Sequence, residues 1–242
     1  MICSFSLLLS SISRADMQTK KDSAAAEFFF FLKFTQYPLT KKGFSYTIII
    51  VKRWSEGIME QFFEKPTAEG LGEKELSAYD FLDTLGVSYV GVHHPPAMTM
   101  EDCVAIDAAL GAPMCKNLFL CNRQQTEFYL LMMPGDKPFR TKHLSAALGV
   151  ARLSFATHEK MEELLGVTPG SATVLALTAD KGGAVQLLID EELLEHPYIG
   201  AHPLVNTASV RLATTDILNV ILPATGHTPR VVSLPREEIE HA

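Results

Sequence analysis

In residues 73–85, EKELSAYDFLDTL, apolar positions recur at helical spacing, and Gly86 follows where a left-handed residue ends a helix. Residues 87–94, VSYVGVHH, read instead as a strand, closed by Pro95-Pro96. TMED at 99–102 has the form of a capping box and predicts a helix over MEDCVAIDAAL that ends at Gly111. CKNLFLC (115–121) and EFYLLMMP (127–134) are apolar runs of strand length around the polar turn NRQQTE, which predicts a hairpin. TKHLSAAL predicts a helix stopped by Gly149, and RLSFAT (152–157) a short extended piece whose Thr157 caps the helix HEKMEELLG. After the turn TPGSAT, VLALTAD (174–180) and AVQLLID (184–190) read as strands joined by a hairpin turn at Gly182-Gly183. TASVRLAT (207–214) predicts a strand, TTDILNVILPATG a final helix and RVVSLP a last strand. Some strands have hairpin-length connections and others are separated by helices. The fold class is therefore α/β (α+β), a mixed sheet surrounded by helices rather than a doubly wound parallel one.

The pattern is different before residue 59. That segment has a phenylalanine tetrad, a serine-rich start and no sustained helical or strand periodicity. Residues 1–58 are expected to be an N-terminal extension, disordered or arising from a mis-called upstream start, and 59–242 the functional domain. An extra N-terminal subdomain is the alternative. Charge divides at the same place. Residues 1–58 hold eight Lys/Arg against four acids, whereas the whole chain carries a net charge of -7. The body is thus strongly acidic, which argues against broad binding along a phosphate backbone but leaves room for a small basic pocket.

No apolar run approaches the length of a membrane span. The opening MICSFSLLLSSISRA lacks the basic residue that precedes the apolar stretch of a signal peptide, so a cytoplasmic protein with no membrane partner is expected. Cys3, Cys103, Cys115 and Cys121 form no CxxC, and no histidine cluster has zinc-site spacing. They read as small buried hydrophobes, and neither metal nor cofactor is expected. Nucleotide, hydrolase and zinc-protease signatures are also missing. His93-His94 point to opposite faces of a strand, which does not suit joint metal ligation. The charge runs at 190–192 and 236–240 read as solvated faces.

Two places carry candidate chemistry. Lys116-Asn117 sets a cation and an amide at the start of an apolar strand, where lysine needs a partner or a purpose. The stretch EHPYIGAHPLVNTAS (195–209) reads as a stiff irregular loop around Gly200, His202 and Pro203, whose backbone amides could serve as preorganised donors.

Together with HHPPAMTMED and RLSFATHEKMEELLGVTPGSAT, these pieces resemble the YbaK/prolyl-tRNA synthetase-associated family of aminoacyl-tRNA deacylases. The likeness runs from about residue 77 to 226 and is strongest to the freestanding members that clear alanine from proline tRNA. It implies a bent mixed sheet and trans-editing, the hydrolysis of a wrong amino acid from the terminal adenosine of tRNA. The implied catalytic positions are Lys116, Asn117, Gly200, Ala201 and His202. The implied substrate-binding positions are His94, Met98, Thr99, Arg152, Ser154, Pro203, Asn206 and Thr207. The partner is the acceptor end of proline tRNA, with prolyl-tRNA synthetase as a further candidate.

Editing answers a physical limit, since a proline pocket rejects a smaller side chain by only about 1–3 kcal/mol. In the expected arrangement Lys116 supplies a fixed positive charge and Asn117 orients the aminoacyl group or a water. Amides of Gly200 and Ala201 stabilise the developing oxyanion, and His202 positions water or the substrate amine. Cys-tRNA(Pro) deacylation and a noncatalytic amino-acid- or synthetase-binding module are the alternatives.

Overall fold

The computed structural model describes residues 30–37, 45–54, 57–97 and 100–236, with side chains described at 59–97 and 103–236. Met98 and Thr99, both expected at the site, lie outside the described residues, as does the Thr99 cap.

Two sheets carry the fold. One is antiparallel, in the order β1-β2-β3-β4-β10-β9. Its strands are β1 (Phe30–Tyr37), β2 (Ser45–Trp54), β3 (Gly57–Phe62), β4 (Val90–His93), β9 (Tyr198–Ala201) and β10 (Ala208–Ala213). The other is mixed, in the order β11-β8-β6-β5-β7. It comprises β5 (Cys115–Cys121), β6 (Phe128–Pro134), β7 (Ser154–Phe155), β8 (Val185–Asp190) and β11 (Arg230–Val232). Strand β8 runs parallel to β6 and β11, and the remaining pairs are antiparallel. The expected mixed sheet is this second one. The first joins it through a parallel bridge between Met114 and Gly200.

Strands β1 and β2 fall within 1–58, where the sequence pattern predicted no strand. Their runs FFLKFTQY and SYTIIIVKRW are rich in aromatic and β-branched residues, which suit a pleated sheet even without alternation. The two pair in antiparallel register from Phe30↔Lys52 to Tyr37↔Ser45.

The helices follow their predicted stops. Helix α1 (Glu73–Thr84) gives way to Gly86 at φ 67°, and α3 (Thr141–Leu148) to Gly149 at φ 72°. Between them lies α2 (Met100–Leu110). Helix α4 (His158–Leu165) begins under the hydroxyl of Thr157, which accepts from the Lys160 amide. The closing helical stretch runs through α5 (Thr214–Asp216), a π segment (Ile217–Ile221) and α6 (Leu222–Thr225).

One predicted strand is not a strand. VLALTAD contains a 3₁₀ segment, Val174–Thr178, whose first four residues are all buried. The Thr173 hydroxyl accepts from the Leu175 amide and the Thr178 hydroxyl donates to the Leu175 carbonyl, closing a local turn. A short apolar run reports burial on all sides, which a buried helical turn satisfies as well as a strand. Gly182-Gly183 accordingly forms no hairpin. It links the 3₁₀ segment to β8, whose entry is fixed by the Asp180 carboxylate accepting from the amides of Ala184 and Val185.

The mixed sheet is apolar on both faces. Phe119, Leu130 and Leu187 join α1, the 3₁₀ segment and the final helical stretch in the larger core. Leu120, Leu131 and Leu188 face α3 in a second core. Central strand β6 is buried along its whole length, as expected for a strand covered on both sides.

The junction of the two sheets needs a glycine. The Gly200 amide donates to the Pro113 carbonyl at 2.8 Å. A Cβ at Gly200 would meet the Met114 Cα at 3.1 Å and the Pro113 oxygen at 3.2 Å. Gly200→Ala is expected to cost about 1–3 kcal/mol by forcing these backbones apart. Urea unfolding of the variant against the parent protein checks the value.

Candidate active site

Strand β5 alternates. Cys115, Phe119 and Cys121 belong to the larger core, whereas Leu120 belongs to the second, with Leu118 packed against it. Successive strand side chains point to opposite faces. Lys116 therefore shares the face of Leu118 and Leu120, and Asn117 the face of Cys115 and Phe119. Lys116 and Asn117, adjacent in sequence, serve opposite faces of one strand. Both still line the same cleft, a space of about 410 Å³ that also takes in Phe155, His158, Gly170 and His202.

The cleft reaches both residues because β5 is paired unevenly. Along one edge it pairs with β6 from Cys115↔Pro134 to Cys121↔Phe128. On its other edge the β7 ladder covers Leu120 and Cys121. That edge has two more anchors: the Phe119 carbonyl accepts from the Ala156 amide, and the Pro113 carbonyl from the Gly200 amide. Backbone groups alternate in direction along an antiparallel strand. If residues 113 and 119 turn toward this second edge, so do the amides and carbonyls of Cys115 and Asn117. Pro134 opposite Cys115 agrees, since proline offers no N–H to a ladder. Among the described residues, Asn117 thus presents its main-chain N–H and C=O in a gap between β9 and β7.

Lys116 is anchored from the second face. Its ammonium donates to the Lys137 carbonyl at 3.0 Å. Partial burial pushes its pKa below the ordinary lysine value, against the opposing pull of Asp136 and Cys103. Lys137 in turn is wholly buried, its ammonium 2.8 Å from Asp190 Oδ2 and 2.7 Å from Glu192 Oε1. Burial alone would lower that ammonium's pKa, but the two carboxylates outweigh it and hold it above the usual range. Arg236 closes the cluster by donating to Glu192 at 2.6 Å and Asp136 at 2.9 Å. Asp190, read from sequence within a solvated run, is instead fully buried. A charge run does not reveal which member turns inward to meet a lysine 53 residues away.

Gly200 and Ala201 are strand residues, not part of an irregular loop. The Gly200 amide is spent on Pro113, and the alternation that turns it there places Ala201 in a hydrogen-bonded pair with Val210. Neither amide is open to an oxyanion, which corrects the role expected for them. The irregular turn begins at His202, passes through Leu204 at φ 63° and ends before β10.

His202 reaches the cleft in a defined tautomer. A carbonyl only accepts, so the 3.0 Å contact to the Ala208 oxygen places a proton on Nδ1. Ser209 Oγ lies 3.4 Å from the same nitrogen and 2.8 Å from His94 Nε2. His94 Nδ1 donates to the Pro95 carbonyl at 2.7 Å, so its Nε2 accepts from the Ser209 hydroxyl. Burial first, and the nearby His94 second, push the His202 pKa down, against the pull of the Ala208 carbonyl. The neutral ring then keeps Nε2 as an acceptor.

The other expected substrate contacts divide. His94 is buried beneath His202 and supports it rather than lining the cleft. Pro203 is buried, and Thr207 gives its carbonyl to the His94 amide. Asn206 lies beside Gly170 of the cleft wall, its Nδ2 3.5 Å from where a Gly170 Cβ would stand. Arg152 and Ser154 are exposed and outside the cleft lining. Sequence reasoning missed Phe155, His158 and Gly170. They sit in RLSFATHEKM and TPGSAT, where the pattern marks an extended piece, a helix start and a turn without showing that all three fold against β5. Cys115 and Cys121 are buried in the core, and burial pushes the Cys115 thiol up to about 11.

Comparisons with known proteins place the chain in a family. Residues 94–220 match the family model described as an aminoacyl-tRNA editing domain. The chain is 33% identical over 162 residues to the prolyl-tRNA synthetase associated domain-containing protein 1 of Danio rerio, covering 66% of this chain and 86% of that one. It is 29% identical over 153 residues to the prolyl-tRNA editing protein ProX of Acetoanaerobium sticklandii, covering 63% and 93%. A solved structure described as a candidate trans-editing enzyme for prolyl tRNA synthetase superposes with a TM-score of 0.51 at 20% identity. It covers 69% of this chain and all of that one, a likeness of fold.

Two expectations test the site's physics. Lys137→Met leaves the buried Asp190 carboxylate without its cation and should cost about 3–5 kcal/mol in urea unfolding. Adding Asp190→Leu should recover part of that loss. For His202, the folded-state pKa lies below the unfolded value of about 6.5, so the unfolded chain takes up its proton first as pH falls. The parent protein should therefore lose stability relative to His202→Gln below about pH 6.5, read from unfolding curves between pH 7.5 and 5.

Proposed function

We propose, for a chain that belongs to the aminoacyl-tRNA editing domain family, that it hydrolyses the ester of a mischarged proline tRNA, with alanine as the amino acid removed. The observation that carries this reading is the convergence of Lys116, the open backbone of Asn117 and a neutral His202 on one cleft.

The substrate is an ester, which water cleaves without an enzyme-bound nucleophile. Water attacks the acyl carbon and negative charge develops on the carbonyl oxygen. The Asn117 amide, facing the gap in the β5 edge, is the donor for that oxygen, the role the sequence assigned to Gly200 and Ala201. A main-chain donor held in a strand costs little reorganisation as the charge forms. His202 Nε2 accepts a hydrogen bond from the attacking water and orients its lone pair. Collapse of the intermediate breaks the bond to the ribose oxygen, which takes up the proton given up by the attacking water and leaves as the free hydroxyl of tRNA, releasing the amino acid.

Lys116 contributes charge. Its ammonium, fixed by the Lys137 carbonyl, retains further donors for the phosphate or ribose of the terminal nucleotide, which a lysine meets as a point charge. A site that takes only the acceptor end also fits an acidic body. The chain's net charge of -7 does not favour long contact with a phosphate backbone. The relatives' names support prolyl-tRNA as the substrate class.

Deacylation of alanyl, cysteinyl and seryl esters on proline tRNA tests the reading, with the alanyl ester expected to turn over fastest. Lys116→Ala should lower kcat/KM on it by about 10- to 150-fold, the loss of one charge-assisted contact of roughly 1.5–3 kcal/mol. Undiminished turnover in a folded variant would remove Lys116 from the mechanism.

A further inference from the structure

Phe155 has no role in the chemistry above, yet it is 59% exposed, the highest value among the large apolar residues exposed in the described part of the chain. It stands opposite Leu120 in the β5–β7 register. Paired residues share a face, so Phe155 lies on the face of Leu120, Leu118 and Lys116. The second strand face of the cleft therefore presents a cation at one end and an open aromatic ring at the other. Lys116 and Leu120 are about 13 Å apart along the strand, a span that an extended lysine side chain shortens toward that of one nucleotide.

The ring is held rather than loose. Phe139 meets it edge-on, with centroids 6.1 Å apart and planes at 66°. Phe139 follows the buried Lys137 by two residues and packs against the second core. Ala156, next in the chain, is tied by its amide to the Phe119 carbonyl. A hydrophobic ring kept in water by rigid neighbours gains nothing for the fold from its exposed area, and such rings are the surfaces on which nucleic-acid bases stack.

We propose that Phe155 is the stacking platform for the purine base of the substrate's terminal nucleotide, while Lys116 on the same strand face meets its phosphate or ribose. The aminoacyl group then enters the gap in the β5 edge, where the Asn117 main chain and His202 line the same cleft. This rests on the deacylase reading and extends it. The strand face of Lys116 and Phe155 takes the nucleotide half of the substrate, and the gap beside it takes the amino-acid half.

The test reads binding without turnover. The probes are a non-hydrolysable alanyl amide of 3′-amino-3′-deoxyadenosine and, as a base-free control, alanine amide. The wild-type chain should bind the adenosine probe more tightly than the control. Phe155→Ala should weaken the adenosine probe by about 5- to 150-fold, the range of one stacked base, and leave the control unchanged. Phe155→Trp should restore binding, and Phe155→Leu, which keeps apolar area without an aromatic face, should not. Equal loss on both probes, no loss on the adenosine probe, or full rescue by leucine would overturn the platform. Because the ring is exposed, the variants should keep the parent's unfolding midpoint. Deacylation of alanyl-tRNA by the wild-type chain is measured alongside. Phe155-dependent binding with no ester hydrolysis would overturn the deacylase reading and leave the platform standing.

Discussion

The site depends on an interruption in pairing. Strand β5 is laddered to β6 along one edge, but on the other its neighbours β9 and β7 leave a gap opposite Cys115 and Asn117. A closed sheet there would bury the Asn117 amide and carbonyl in a ladder and shut the cleft. An edge left open along its whole length would invite another chain to pair with it. Bounded at both ends, the gap is too short to serve as such an edge and is wide enough for a ligand. Gly200 fixes one boundary because only a residue without a Cβ lets β9 approach Pro113 and Met114 so closely. The amide of Ala156 fixes the other.

The gap also explains why adjacent residues do different work. A strand sends Lys116 and Asn117 to opposite faces, which would normally place them in separate environments. Here the missing partner lets one cleft reach both. On the Lys116 face the support is ionic: the wholly buried Lys137 holds its turn between Asp190 and Glu192, and that turn's carbonyl holds Lys116. His202, which lines the same cleft, is held by a hydrogen-bonded relay that runs from His94 through Ser209. The relay leaves His202 Nε2 as an acceptor because each ring's Nδ1 is committed to a carbonyl. The two supports are built from elements far apart in sequence, and each fixes one polar group against the same strand.

Much of the fold was legible. Glycine stops at 86, 111, 149, 166 and 226 all adopt positive φ at helix ends, and the hairpin around NRQQTE closes through the Asn122 side chain accepting from the Thr126 amide. VLALTAD was misread because continuous burial erases the periodicity that separates a strand from a helical turn. YIGA was read as loop because it holds Gly200 and lies between Pro197 and Pro203, although it pairs with β10 and bridges to Met114. Asp190 was read as solvated because a run of three acids gives no sign that one of them faces a buried lysine.

The sequence by itself determined the order of elements, their caps and stops, and the identity of Lys116, Asn117 and His202 as the polar residues to watch. These follow from local rules: spacing of apolar positions, the conformational demands of glycine and proline, and the cost of a lysine at the head of an apolar strand. Tertiary structure alone decided which backbone amides were free, which face each side chain served and which tautomer His202 holds. Those depend on what lies across the chain from each group, since a donor is available only where no other strand has taken it. The amides of Gly200 and Ala201 are committed elsewhere for that reason.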